Sequence, residues 1–116
     1  MTSTKVPQFA RLSENAYKKY EAAVQKLRLE LTRGKTYDQA CDSLTDLDQS
    51  LKVFVRDEFL KTIIAEEHFG AGVEISDIAL LLGLPYEKVE STLLTLLNDM
   101  VREAAQHRTG ENKTIN

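Results

Sequence analysis

Cysteine is nearly missing from this chain: Cys41 is the only one in 116 residues. A lone thiol excludes an internal disulfide and a thiolate metal cage, and it makes a reducing cytoplasm the expected compartment. Long apolar runs are lacking as well. The longest, IALLLGLP at residues 78–85, falls far short of the roughly 20 residues that span a bilayer. The first residues, MTSTKVPQFARLSENAYKK, hold no apolar core of the kind a secretory signal needs. Without a secretory route, the sequon Asn112–Thr114 carries no meaning.

Chemistry-bearing constellations are equally scarce. There are two histidines, His68 and His107. In AEEH (65–68), Glu66, Glu67 and His68 are adjacent and would diverge by about 100° on a helix, so they do not converge on one metal. TRGKT (32–36) has one glycine and no preceding strand, which excludes a phosphate-binding loop. No serine or cysteine stands near a plausible base. No catalytic residue, metal or cofactor is expected, and an enzyme is not.

The remaining composition, 42% hydrophobic and 28% charged, is that of one globular domain able to bury a core without staples. The formal charge of −3 hides an asymmetry. Residues 1–35 hold eight basic side chains against three acidic, and the rest seven against fifteen. A basic arm on an acidic body either contacts an anionic partner or docks on its own body. Only Tyr17 and Tyr20 interleave with its cations.

Helical periodicity recurs along the chain. Residues 1–12, with Pro7, read as a lead-in. From a Ser13 cap, Tyr17, Tyr20, Val24, Leu27 and Leu31 form an apolar stripe that Gly34 ends. Thr36 and Gln39 have the spacing of a capping box and open a short helix with Tyr37, Ala40, Cys41, Leu44 and Leu47 inward. Cys41 there reads as a small core residue. After a break near Asp48, Leu51, Phe54, Val55, Phe59, Leu60, Ile63 and Ile64 mark the central core helix, stopped by Gly70–Gly72. Ser76 is expected to cap a brief helix with Ile78, Leu81 and Leu82 buried. A last helix runs to about Gln106, and the polar residues 107–116 read as a disordered tail. The expected fold is all-α: a small domain of about five helices over residues 13–106.

The most informative segment is ISDIALLLGLPYEKVESTLLTLL, residues 75–97. Ala79 is small where a second helix crosses. Gly83 follows where a tight turn needs positive φ. Leu84 plugs the angle, Pro85 opens the next helix without needing an N–H, and Val89 faces back. This spacing resembles the helix-turn-helix unit of bacterial regulators. The resemblance implies a supporting helix over Ser76–Leu82 and a recognition helix from Pro85, with Tyr86, Lys88 and Ser91 approaching DNA bases. Lys18, Lys19 and Lys26 of the first helix would then serve the phosphates. Glu87 and Glu90 oppose that use electrostatically. The last helix carries a wide stripe, Val89, Leu93, Leu96, Leu97, Met100, Val101 and Ala104, that needs either the core or a second copy as cover. Two functions follow: a dimeric, DNA-binding transcription regulator, or a helical protein–protein module in which the corner is a packing device.

Overall fold

The computed structural model describes residues 13–115, with side chains through Gln106; the lead-in expected over 1–12 lies outside the described residues. Among the described residues five α-helices form the fold: α1 Glu14–Thr32, α2 Tyr37–Asp42, α3 Gln49–Ile64, α4 Ile75–Leu82 and α5 Tyr86–Ile115. Among the described residues there is no strand.

Ser13 caps α1, its hydroxyl accepting from the Ala16 N–H at 3.0 Å, and Glu14 faces the positive end of the helix dipole. Tyr20, Ala23 and Leu27 are buried, whereas Tyr17 reaches solvent. Gly34, at φ +90°, turns the chain out of the helix. That turn swings Lys35 back so that its Nζ lies 2.8 Å from Glu30 Oε1, while Arg33 approaches the other oxygen at 3.4 Å. Glu30 is thereby buried on the apolar side of α1, and its hydrogen bond from Lys35 lowers its pKa despite desolvation.

The Thr36–Gln39 capping box forms reciprocally, at 3.2 and 3.0 Å. It sets α2 so that Tyr37, Ala40 and Cys41 are buried. The Tyr37 hydroxyl donates to the Arg56 carbonyl of α3, and its ring stacks on Phe59 at 6.1 Å between centroids. Asp48 caps α3 by accepting from the Leu51 N–H at 2.8 Å, which fixes the break between α2 and α3. Both sides of α3 are then used. Leu51, Val55, Phe59, Leu60, Ile63 and Ile64 are all buried, and the helix packs against α1 and α5.

Past Ile64 the helix widens into a π-helical stretch, Ala65–Gly70. Its exit is closed by the Val73 N–H donating to the Glu67 carbonyl and by His68 Nδ1 meeting the Val73 carbonyl, both at 2.8 Å. Arg28 of α1 straps this stretch with two parallel hydrogen bonds to Glu66, at 3.1 and 2.8 Å. The same guanidinium lies 5.3 Å from the Phe59 ring centre.

Two local expectations need correcting in α4. Its cap is Glu74, whose carbonyl accepts from Asp77 and Ile78, and no side chain caps it; Ser76 is already inside the first turn. The reason is Ile75, which enters the core as the first helical residue instead of preceding the helix. The buried stripe is accordingly Ile75, Ile78, Ala79 and Leu82, and Leu81 points outward, 75% exposed. α5 also runs longer than the pattern suggested, its backbone helical through Ile115.

Candidate functional site

The corner between α4 and α5 is built on one glycine. Gly83 sits at φ 68°, ψ 32°, and the chain doubles back so that the Leu84 N–H reaches the Ala79 carbonyl at 3.0 Å. Leu84 fills the angle. Val89, one turn into α5, is fully buried with Ile78 and Ala79. The Pro85 carbonyl accepts from Lys88 and Val89, so the residue that lacks an N–H occupies the place where none is needed. α2 buttresses the turn from outside: a Cβ on Gly83 would lie 2.8 Å from Thr36 Cγ2.

On the outer side of α5, Tyr86, Glu87, Lys88, Glu90 and Ser91 are exposed. Lys88 and Ser91 form one wall of a groove of ≈ 700 Å³ between α3 and α5, with Thr92 and Thr95 beside them and Ala16 of α1 at its rim. The facing wall brings Asp48, Asp57 and Glu58 from the α3 side, above Leu51 and Phe54. Lys61 crosses from α3 toward α5, 3.3 Å from Glu58 and 3.2 Å from Asp99. Burial opposes its charge, but the two carboxylates outweigh that and raise its pKa. The three hydroxyls all turn their protons inward along α5. Ser91 and Thr92 donate to the Lys88 carbonyl at 3.1 and 2.9 Å, and Thr95 donates to the Ser91 carbonyl at 3.1 Å. So bonded, the three oxygens keep their capacity to accept.

The basic residues of α1 lie elsewhere. Lys19 and Lys26 rim a second hollow, ≈ 280 Å³, between α1 and the loop from α2 to α3. Lys18 and Tyr86 line neither cavity. The six residues singled out in the sequence therefore fall into two separate groups and two isolated positions. Of the other α1-side cations, Arg28 holds Glu66, while Arg33 and Lys35 hold Glu30. Part of the basic arm is thus used within the body. Lys18, Lys19 and Lys26 make no ion pair with any described side chain.

The long stripe of α5 is divided by the end of the core. Val89 is buried, and Leu93 and Leu96 pack partly against the core. Leu94 is 58% exposed, Met100 49% and Val101 66%, and Ala104 is exposed as well. Leu80 and Leu81 add a second apolar spot on the outer side of α4, the former 80% exposed.

Several of these features escaped the sequence reading. The acceptor wall of Thr92 and Thr95 does have a sequence signal, a hydroxyl four residues after the carbonyl it can reach. The turned-out Leu80 and Leu81 have none, because three consecutive leucines leave the buried side of α4 undecided. Among the described residues no three His, Cys, Asp or Glu side chains gather as a metal site, and no helix is long and apolar enough to cross a membrane. Cys41 is buried and free, with its thiol pKa pushed up by that burial. Comparison with protein families, with curated proteins and with solved structures finds no match to this chain.

Proposed function

We propose that this protein is a helical interaction module that pairs with a second copy through the exposed apolar face in the middle of α5, Leu94 to Ala104. The observation that carries this reading is the open end of the α5 stripe. Met100 and Val101 continue a stripe whose first members are buried, yet they are exposed, and Leu94 is exposed at its margin. Leu94, Leu97, Val101 and Ala104 recur at spacings of three, four and three, the rhythm of a seam that a like helix fills. A two-fold arrangement lets one patch serve as its own complement. Light scattering at tens of micromolar tests the proposal. Twice the chain mass of 13.1 kDa is expected, and a clean monomer overturns it.

A second reading, a DNA-binding regulator, is favoured by the corner itself: Ala79, Gly83 in the left-handed conformation, Leu84 and buried Val89 have the helix-turn-helix spacing. The charges around it weigh the other way. Glu87 and Glu90 are exposed on the outer side of α5, and Asp48, Asp57 and Glu58 stand across the groove from Lys88 and Ser91. Side chains that meet phosphates are cations or proton donors, and Ser91, Thr92 and Thr95 have already given their protons to α5. Fluorescence anisotropy on mixed duplex DNA across a salt series separates the readings. Binding that weakens with salt and is lost in Lys88→Gln supports the regulator; no binding at low salt supports the module.

A further inference from the structure

The hollow between α1 and the α2–α3 loop has a charged rim and an apolar floor, and the two together specify a ligand. Ala22, Ala23, Leu44 and Leu47 supply the floor, with Ala22 on the outer edge. Lys19 and Lys26 stand on the α1 side of the rim, seven residues apart, which places their Cα atoms about 10 Å apart along the helix axis. Neither lies within ion-pair distance of a described carboxylate, whereas Arg28, Arg33 and Lys35 of the same region all do; Lys26 feels Glu30 only at longer range. Across from them, the Ser43 hydroxyl donates to the Ala40 carbonyl at 2.6 Å, and Asp46 adds one negative charge. The volume, ≈ 280 Å³, suits one or two side chains and not a whole small molecule.

We infer that this hollow is a docking site for an acidic amphipathic helix of a partner protein, which inserts one bulky apolar side chain between Leu44 and Leu47 and sets carboxylates on Lys19 and Lys26. Two carboxylates seven residues apart on such a helix match the lysine spacing, and an apolar residue midway falls on the same side. A buried apolar anchor ringed by charge is the usual anatomy of a small helix-in-groove contact. Nucleic acid fits less well. A phosphate backbone has nothing to bury on Ala22, Ala23, Leu44 and Leu47, Asp46 repels it, and the Ser43 proton is already engaged. The site is separate from the open stripe of α5, and its test does not depend on whether that stripe pairs.

The probe is an acetylated, amidated, fluorescein-labelled alanine-based helical peptide bearing two glutamates seven residues apart and one leucine between them. Anisotropy titrations with the full chain should show saturable binding. The doubly substituted Lys19→Gln, Lys26→Gln protein should lose about tenfold in affinity, the sum expected of two exposed ion pairs. Exchanging the leucine of the probe for serine should lose about tenfold or more. Ala22→Phe, which fills the hollow from its exposed rim, should abolish binding, while Arg102→Gln on α5 leaves it unchanged. Amide shifts on titration should cluster at residues 19–26 and 43–47. Several results overturn the inference: a serine probe that binds as well as the leucine probe, shifts scattered outside the hollow, or no binding at low salt. Tighter binding of a mixed DNA duplex with the same lysine dependence, or self-association of the chain abolished by the lysine substitutions, also overturns it by giving the hollow a different occupant.

Discussion

Replacing Gly83 with alanine tests the corner at its most constrained point, because two independent effects meet there. The first is conformational. At φ 68° a side chain meets its own backbone, which costs about 1–2 kcal/mol. Against this, alanine stiffens the unfolded chain, favouring the native state by about 0.4–1 kcal/mol. The second effect is steric. The new Cβ would stand 2.8 Å from Thr36 Cγ2 and 3.1 Å from Thr36 Cβ. Thr36 does not swing aside freely, because its hydroxyl holds the Gln39 N–H in the capping box of α2, and a lost cap alone costs about 1 kcal/mol. With overpacking of about 1–3 kcal/mol, Gly83→Ala should destabilise the protein by about 2–3 kcal/mol in urea unfolding followed by circular dichroism, with the slope unchanged. A second substitution separates the two effects. Thr36→Ser deletes the offending methyl but keeps the capping hydroxyl, so Gly83→Ala should cost at least about 1 kcal/mol less in that background. Gly83→Asn, which tolerates the backbone but still carries a Cβ, should be rescued by Thr36→Ser in the same way. If Gly83→Ala changes stability by less than about 0.5 kcal/mol, or if Thr36→Ser gives no relief, the account of the corner is wrong.

Three further outcomes follow from other contacts. Burial raises the Tyr37 pKa, so the folded state keeps a proton that the unfolded chain releases near its ordinary value of about 10. Stability contributed this way is complete below that pH and falls as pH rises above it; Lys61, also raised, acts in the same sense. Thermal unfolding from pH 9 to 11.5 should therefore show a declining midpoint, and Tyr37→Phe should make the decline shallower even though it starts lower for want of the bond to the Arg56 carbonyl. An equal slope in Tyr37→Phe refutes the assignment. Val101→Glu should convert a dimer to a monomer in light scattering while changing the stability of the fold by no more than about 0.5 kcal/mol, since the side chain faces solvent. Arg28→Lys keeps the charge but loses the paired bonds to Glu66 and the planar contact over Phe59; urea unfolding should register a loss of about 0.5–1 kcal/mol, and none would mean the strap is idle.

What could be read in the sequence is mostly what is decided within four or five residues. The capping box needs only Thr36 and Gln39, the α3 start needs Asp48 and the Leu51 N–H, and the left-handed turn needs Gly83 with apolar residues on either side. The all-α fold and the core role of α3 follow from such pieces. Glu30 was not readable as a buried residue, because its burial depends on Lys35 being folded back by the turn at Gly34. Leu81 reads from the sequence as buried in α4 because Leu80, Leu81 and Leu82 are equally apolar, and the choice is made by Ile75 entering the core. The candidate site suffered most. Lys88 and Lys19 look alike in the chain, yet one faces a carboxylate-lined groove and the other an apolar hollow. Only the packing of α5 against α3, and of α1 against the α2–α3 loop, decides that difference.

The length of α5 has a mechanical consequence. Thirty residues of unbroken helix make a rod of about 45 Å, anchored by Val89 at the corner and tethered to α3 by the Lys61–Asp99 ion pair. Beyond Asp99 that rod is a lever arm, and the tether is its fulcrum. Anything that grips the far half and tilts it by about 10° moves the outer end by about 4 Å, given 1.5 Å of rise per residue. On the near side Val89, Leu93 and Leu96 are seated on the core, so the wall formed by Lys88, Ser91, Thr92 and Thr95 stays in place while the far half swings. A pull on the far end is therefore borne first by the Lys61–Asp99 pair, and the corner beyond it is shielded by the length of helix already packed down.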